Sequence, residues 1–128
     1  MSTSENGNTL SKNERLCGDV AINELFTQGQ SFVKYPLRVV FGKQRTDAGV
    51  CRILVSVPKK RFKRAVKRNR IKRLVREAYR LNKSLLNGLQ FDMAFVYLDA
   101  NLPSFGKIQQ SVRAALARIA ESENQQPS

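Results

Sequence analysis

Six lysines and arginines fall within ten residues from Lys67 to Arg76, in the stretch KRNRIKRLVR. Ile71, Leu74 and Val75 interrupt the cations at helical spacing, which predicts an amphipathic helix with a cationic outer side. Arginine outnumbers lysine here, and its guanidinium group donates paired hydrogen bonds to phosphate oxygens. The chemistry that this stretch predicts is the binding of a polyanion.

Catalytic groups, in contrast, are scarce in the sequence. The chain has no histidine, which excludes Ser-His and Cys-His nucleophiles and argues against a zinc site. Its ten acids are scattered, without a cluster that resembles a two-metal nuclease site. Cys17 and Cys51 form no CxxC pair and are interpreted as reduced, packing thiols. We therefore expect no catalytic residue and no metal or cofactor bound by this chain alone.

The net charge of +13 is concentrated in one part of the chain. Residues 59–83 contain 13 lysines and arginines and a single acid, Glu77. An ordinary solvated helix face usually mixes signs at i, i+4, and solubility alone would be served by charge spread over the surface. A membrane is the least favoured partner because the apolar stripe of the helix is needed for the core. Charge does not distinguish DNA from RNA.

The length of 128 residues and the hydrophobic fraction of 41% predict one soluble domain. No apolar run could span a bilayer, and the N-terminal residues do not resemble a secretory signal, so we expect a cytoplasmic protein. Polar composition predicts disordered tails at residues 1–12 and 121–128 around a single domain at 13–120.

In the first half of the chain, Asp19 is predicted to cap a helix that runs from Val20 to Gln28 and stops at Gly29. The runs LRVVF, after Pro36, and VCRILVSV, before Pro58, predict two strands. We expect them to form an antiparallel hairpin across the turn-like QRTDAG, with a third short strand near Ser31 to Tyr35.

In the second half, a helix is predicted from Arg64 to Lys83, with a core stripe of Ile71, Leu74, Val75, Ala78 and Leu81. A loop around Asn87 and Gly88 precedes the predicted strand FDMAFVYLD. Ser104 is predicted to cap a last helix, from Phe105 to Glu121, whose apolar residues recur at helical spacing at Ile108, Val112, Ala115, Leu116 and Ile119. The predicted order is αβββαβα, or αββαβα without the short strand.

The motif RNRIKRLVR, from Arg68 to Arg76, resembles the signature of the protein subunit of bacterial ribonuclease P. The segments LSKNERL, Leu25-Phe26 before Gly29, and MAFVYL after Asp92 follow the order of that family over roughly residues 10–120. The resemblance implies an α+β fold, a single-domain two-layer αβ sandwich like the second domain of ribosomal protein S5. Its central sheet would be mostly antiparallel with a left-handed βαβ crossover, against the general preference for right-handed ones.

In that family a catalytic RNA subunit removes the 5′ leader of precursor tRNA with Mg²⁺ held mainly by RNA. The resemblance implies that this chain is the accessory protein of that endoribonuclease, with the RNA subunit and precursor tRNA as partners and no membrane or protein partner. The alternatives are a structural, ribosomal-type RNA-binding protein without a role in catalysis, and a stand-alone metal-dependent nuclease, against which the scattered acids argue.

The resemblance also implies which residues bind RNA. The positions that match RNA-subunit contacts are Arg68, Asn69, Arg70, Lys72, Arg73 and Arg76. Further phosphate contacts are expected at Lys59, Lys60, Arg61, Lys63, Arg64 and Arg80. A leader-binding cleft between the first helix and one sheet face is expected to contain Ile22, Phe26, Val39, Phe41 and Ser56, with Phe41 as a stacking platform. The alternative for each cleft residue is a place in the hydrophobic core.

Overall fold

The computed structural model describes residues 16, 19–43, 51–86 and 91–124. Its elements follow the order α1 (Asp19–Gln28), β1 (Gln30–Lys34), β2 (Leu37–Lys43), β3 (Arg52–Ser56), α2 (Ala65–Asn82), a 3₁₀ helix (Lys83–Leu86), β4 (Phe91–Tyr97) and α3 (Phe105–Asn124). The predicted α+β class and the order αβββαβα are confirmed. Several predicted features lie outside the described residues: the Asp19 capping side chain, Cys17, the QRTDAG turn, the loop at Asn87 and Gly88, and residues 1–12 and 125–128.

The four strands form one sheet in the order β1-β2-β4-β3. β1 and β2 are an antiparallel hairpin joined by Tyr35 and Pro36, β2 and β4 are also antiparallel, and β3 runs parallel to β4. The predicted β2–β3 hairpin is therefore wrong, because β4 lies between these two strands. β4 takes the inner position because nearly all of its residues are buried, and the parallel β3–β4 pair needs a crossover, which α2 supplies. The left-handed sense of that crossover stays a prediction.

The two faces of the sheet are covered by different helices. The face of Val39 and Phe95 packs against α2 and α3, in a core that includes the five predicted α3 residues. The opposite face packs against α1, where Leu25 contacts a smaller cluster with Val40 and Ala94. Alternation of side chains along the strands assigns successive residues to these two clusters.

Four helix ends agree with the sequence prediction, and one does not. The Gly29 amide donates to the Leu25 carbonyl, and a Cβ at Gly29 would lie only 2.8 Å from the Phe41 carbonyl oxygen, so the close approach of α1 to β2 requires glycine. α2 begins and ends within one residue of its predicted bounds. Ser104 caps α3 as predicted by accepting a hydrogen bond from the Lys107 amide at 3.2 Å. α3 continues past the predicted end at Glu121 to Asn124, since no glycine or proline interrupts residues 121–124.

The buried stripe of α2 differs from the prediction at its C-terminal end. Ile71, Val75 and Ala78 are buried as expected and Leu74 packs partly against the core, but Leu81 is 48% exposed. Tyr79 and Asn82 are buried instead, and the Asn82 side-chain amide donates to the Ala78 carbonyl at 2.8 Å. The 3₁₀ helix that follows buries Leu86 in the main core, whereas Leu81 stays on the surface.

Candidate nucleic-acid interface

The connection from β3 to α2 holds its cations on the surface by burying one aromatic residue. The Pro58 carbonyl accepts hydrogen bonds from the Arg61 and Phe62 amides, and the Phe62 side chain is buried with its ring centroid 5.9 Å from that of Tyr97. Because Phe62 points inward, the flanking cations are left exposed, namely Lys59, Lys60, Arg61, Lys63 and Arg64. All five were predicted phosphate contacts, and we call this segment the basic loop.

Tyr97, below the basic loop, remains neutral at physiological pH. Its hydroxyl donates to the Asn101 carbonyl at 2.6 Å. Burial, with smaller contributions from the neighbouring Asp99 carboxylate and Tyr35 phenol, raises the pKa of Tyr97 to about 12. The phenol therefore adds no negative charge beneath the cations.

Arg68 joins the basic loop to the first turn of α2. Its Nη1 atom donates to the carbonyl oxygens of Phe62 and Lys63, at 2.7 and 2.9 Å, and the residue is half-buried. Arg68, a predicted RNA contact, thus also positions its neighbours. The first turn of α2 contains no acidic residue and Arg64 makes no side-chain capping bond, so the positive end of the helix dipole adds to the attraction for anions.

The outer side of α2 presents most of the remaining predicted contacts. Asn69, Arg70 and Arg73 are exposed, while Lys72 and Arg76 are half-buried beside them. Together with the basic loop and Arg68, these residues form what we call the basic surface.

Arg80 differs from the other predicted phosphate contacts because an acid already engages it. Its Nε and Nη2 atoms donate to the two carboxylate oxygens of Glu77, at 3.1 and 2.7 Å. The hydrogen bond to Glu77 raises the pKa of Arg80 above its ordinary value. Arg80 therefore offers less to an incoming phosphate than the cations of the basic surface.

The structure places two of the predicted cleft residues on the wrong face of the sheet for a cleft beside α1. Val39 and Phe41 are buried in the core against α2 and α3, and Phe41 makes edge contacts with Phe32 and Phe91 at centroid distances of 5.7 and 5.9 Å. They cannot form the floor of a cleft beside α1. The sequence prediction gave this alternating set of β2 residues to the face that contacts α1. The sequence alone is ambiguous here, because helices cover both faces of β2 and its residues 39–41 are apolar at successive positions.

α1 leaves one line of residues across the sheet uncovered. Strand register aligns Val33 with Arg38, Arg38 with Val96, and Val96 with Ser56, so these four side chains share a face. Val33 is 55% exposed and Arg38 is exposed, whereas Val96 and Ser56 are half-buried. We call this line the open row.

The next line along the strands, with Val40, Ala94 and Leu54, is the one that packs against α1. Of the predicted cleft residues, Ser56 therefore lies in the open row, Ile22 packs on the cluster beneath α1, and Phe26 is an exposed residue of α1. The sequence prediction missed Val33, Arg38 and Val96. The prediction paired β2 with β3, and only the pairing of β2 with β4 brings Val96 beside Arg38.

Acidic groups contribute little to either surface. On the sheet face that contacts α1, Asp92 accepts two hydrogen bonds from Arg52, at 2.8 and 2.7 Å.

Among the residues that the structure describes, no three His, Cys, Asp or Glu side chains are grouped to hold a metal ion. No helix in this described part is long and apolar enough to cross a membrane.

Comparison with known proteins identifies the family. The family model described as Ribonuclease P matches residues 10–120. The chain belongs to the ribonuclease P protein family. It is 50% identical over 119 residues to the ribonuclease P protein component of Porphyromonas gingivalis, covering 87% of this chain and 86% of that protein. It is 35% identical over 136 residues to the corresponding component of Chlorobaculum tepidum, covering 93% of this chain and 88% of that protein.

Solved ribonuclease P proteins have the same fold. The protein from Staphylococcus aureus superposes with a TM-score of 0.70 at 26% identity, covering 84% of this chain and 95% of that one. The Thermotoga maritima protein superposes with a TM-score of 0.70 at 25% identity, covering 82% of this chain and 96% of that one. Ribonuclease P is an endoribonuclease holoenzyme that processes tRNA, and this family supplies its protein subunit, which works with an RNA.

The Arg68 geometry predicts a separation between stability and binding within one motif. Arg68→Ala removes two charge-assisted hydrogen bonds and should lower the free energy of unfolding by about 1 kcal/mol or more. Arg70→Ala, two residues away and exposed, should leave it within about 0.5 kcal/mol of the wild type. Urea unfolding of both variants measures the difference, and equal stabilities would contradict the positioning role of Arg68.

Proposed function

We propose that this chain binds the catalytic RNA subunit of ribonuclease P through the basic surface and the 5′ leader of precursor tRNA through the open row. Both contacts would promote endonucleolytic removal of the leader to generate the mature 5′ end. The observation that supports this division is that α2 and the open row lie on opposite faces of one sheet. Two RNAs can therefore be held without competing for the same residues.

The basic surface has the properties that docking on a large RNA needs. Its exposed cations extend from the basic loop along the outer side of α2, and a protein that neutralises several phosphates binds RNA with strong salt dependence. By screening repulsion between the two RNAs, the protein would lower the Mg²⁺ concentration that cleavage requires. We assign the metal and the hydrolytic chemistry to the RNA subunit, and the site of action to the cytoplasm.

The open row has the mixed character that a single RNA strand requires. Arg38 can pair with a phosphate, the Ser56 hydroxyl can donate or accept a hydrogen bond, and Val33 offers apolar surface to an unstacked base. Its Ser56 end continues through Pro58 into Lys59, so a strand lying along the row would approach the basic loop. This juxtaposition would guide the leader toward the RNA subunit.

Reconstitution tests the proposed function directly. Purified protein with Mg²⁺ should leave precursor tRNA intact, whereas protein with its cognate RNA subunit should release the leader and leave the mature 5′ end. Gel analysis of labelled precursor measures both reactions. Cleavage by the protein alone would show a stand-alone nuclease, and RNA binding without any effect on cleavage would favour the structural, ribosomal-type alternative.

Arg38→Ala tests the open row. Loss of one phosphate contact should weaken holoenzyme binding of leader-bearing precursor tRNA by about 5- to 10-fold, equivalent to about 1 to 1.4 kcal/mol, at low salt. Binding of mature tRNA and of the RNA subunit should not change. Arg113→Ala, which removes an exposed arginine of α3, is the matched control and should have no effect on any of the three. Equal losses for precursor and mature tRNA would contradict a leader site at the open row.

A further inference from the structure

β1 lies at one edge of the sheet, and α3 packs along it on the face opposite the open row. The Ser111 hydroxyl, in the second turn of α3, donates a hydrogen bond to the Lys34 carbonyl. Further along α3, the guanidinium carbon of Arg118 lies 4.8 Å from the centroid of the Phe32 ring. These two contacts hold one side of α3 against the outer edge of the sheet.

Cationic and aromatic side chains are interleaved along this edge. Lys107 precedes Ser111 by about one helical turn, so it lies toward the end of β1, where the chain turns into β2 at Tyr35. Tyr35 is 63% exposed, and Lys107 and Arg118 are exposed as well. From Lys107 to Arg118 the helix extends about 16 Å. We call this line the edge track, and its residues are Phe32, Lys34, Tyr35, Lys107 and Arg118.

Acidic groups offset few of the edge-track charges. Among the residues that the structure describes, the ion pairs involve none of the three edge-track cations. Asp99, in the loop after β4, accepts hydrogen bonds from the Ala100 and Asn101 amides, at 2.7 and 3.3 Å. Glu121 is exposed about one turn beyond Arg118 and limits the edge track at that end. The edge track is therefore cationic along most of its length.

This combination of side chains suits single-stranded RNA. Proteins that bind single strands use cations that follow the phosphates and aromatic rings on which successive bases stack. The exposed ring of Tyr35 can stack on a base, and Lys107 can contact a phosphate. Arg118 is held in place by the Phe32 ring, and its guanidinium can still donate hydrogen bonds to a phosphate.

The edge track begins where the open row ends. Side chains alternate along β1, so Val33 lies in the open row while Phe32 and Lys34 lie on the α3 side of the same strand. The Ser56 end of the open row leads to the basic loop, so the Val33 end is the one farther from the RNA subunit under the proposed function. A strand that continues past Val33 around β1 reaches the edge track next.

We propose that the edge track binds leader nucleotides upstream of those in the open row. Tyr35 stacks on a base where the strand rounds β1, and Lys34, Lys107 and Arg118 contact the phosphates that follow. This assignment rests on the proposed leader site at the open row. A track of about 16 Å is as long as about five stacked nucleotides at 3.4 Å each, so the affinity for precursor tRNA should keep rising as the leader is lengthened beyond the open row.

Leader length separates the edge track from the open row. For a long leader, Lys107→Gln should weaken binding to the holoenzyme about 3-fold and reduce the salt slope by about 0.7, the value for one phosphate of a single strand. Tyr35→Leu should weaken the same binding about 5- to 10-fold with an unchanged salt slope, since stacking involves no charge. Neither variant should alter the binding of a leader that ends within the open row.

Arg113→Ala is the matched control for both variants. Arg113 is an exposed cation of α3 that lies about 140° around the helix from Arg118, away from β1. This control should bind long and short leaders like the wild type. Because Lys107 and Tyr35 are exposed, Lys107→Gln and Tyr35→Leu should unfold at the wild-type temperature.

Photocrosslinking locates the bound nucleotides. A benzophenone amino acid in place of Lys107 should crosslink to leader nucleotides farther from the cleavage site than those reached from position 33. Equal losses for short and long leaders, or crosslinks from position 107 to the RNA subunit, would overturn the edge track and leave the open row in place. A wild-type holoenzyme that binds precursor and mature tRNA equally would instead overturn the proposed leader site, and the edge track with it.

Discussion

The anchoring of α2 by one buried stripe is the constraint on which the rest of the structure depends. The segment from Lys59 to Lys83 holds 13 cations and one acid, so mutual repulsion opposes its folding. Burial of Ile71, Val75 and Tyr79 opposes that repulsion, and full burial of an isoleucine or valine side chain alone contributes roughly 1.5 to 3 kcal/mol. Phe62 and Arg68 extend the anchoring into the basic loop. The protein thus holds a dense cationic surface in a fixed shape before any RNA is bound.

The central position of β4 explains how the same small fold can offer a second surface. Because β4 is buried on both faces, the sheet supports α2 and α3 on one side and α1 on the other. α1 is too short to cover the whole of its face, and the open row remains at the end of the sheet beside the basic loop. Arg38 lies on the sheet face that contacts α1, whereas Arg73 lies on α2, which packs against the opposite face. Under the proposed function, a change at one surface would alter one RNA contact and leave the other intact.

The sequence was sufficient for the elements and their order, because helical periodicity, Gly29 and Ser104 are local signals. It also located the cations, since charge needs no tertiary information. Strand pairing was mispredicted because proximity in sequence favoured a β2–β3 hairpin, whereas the apolar character of β4 on both faces decided the pairing. The same two-sided burial made LRVVF ambiguous, so Val39 and Phe41 were assigned to the wrong face. Leu81 was misassigned because the packing of the following 3₁₀ helix is not visible in the periodicity of α2.

The central claim is that two separate surfaces of this protein contact two different RNAs. Photocrosslinking from a benzophenone amino acid placed at Val33 or at Val66, both exposed, tests it most directly in the holoenzyme with precursor tRNA. The account predicts that position 33 crosslinks to the leader of precursor tRNA and position 66 to the RNA subunit. Crosslinks from both positions to the same RNA would contradict it.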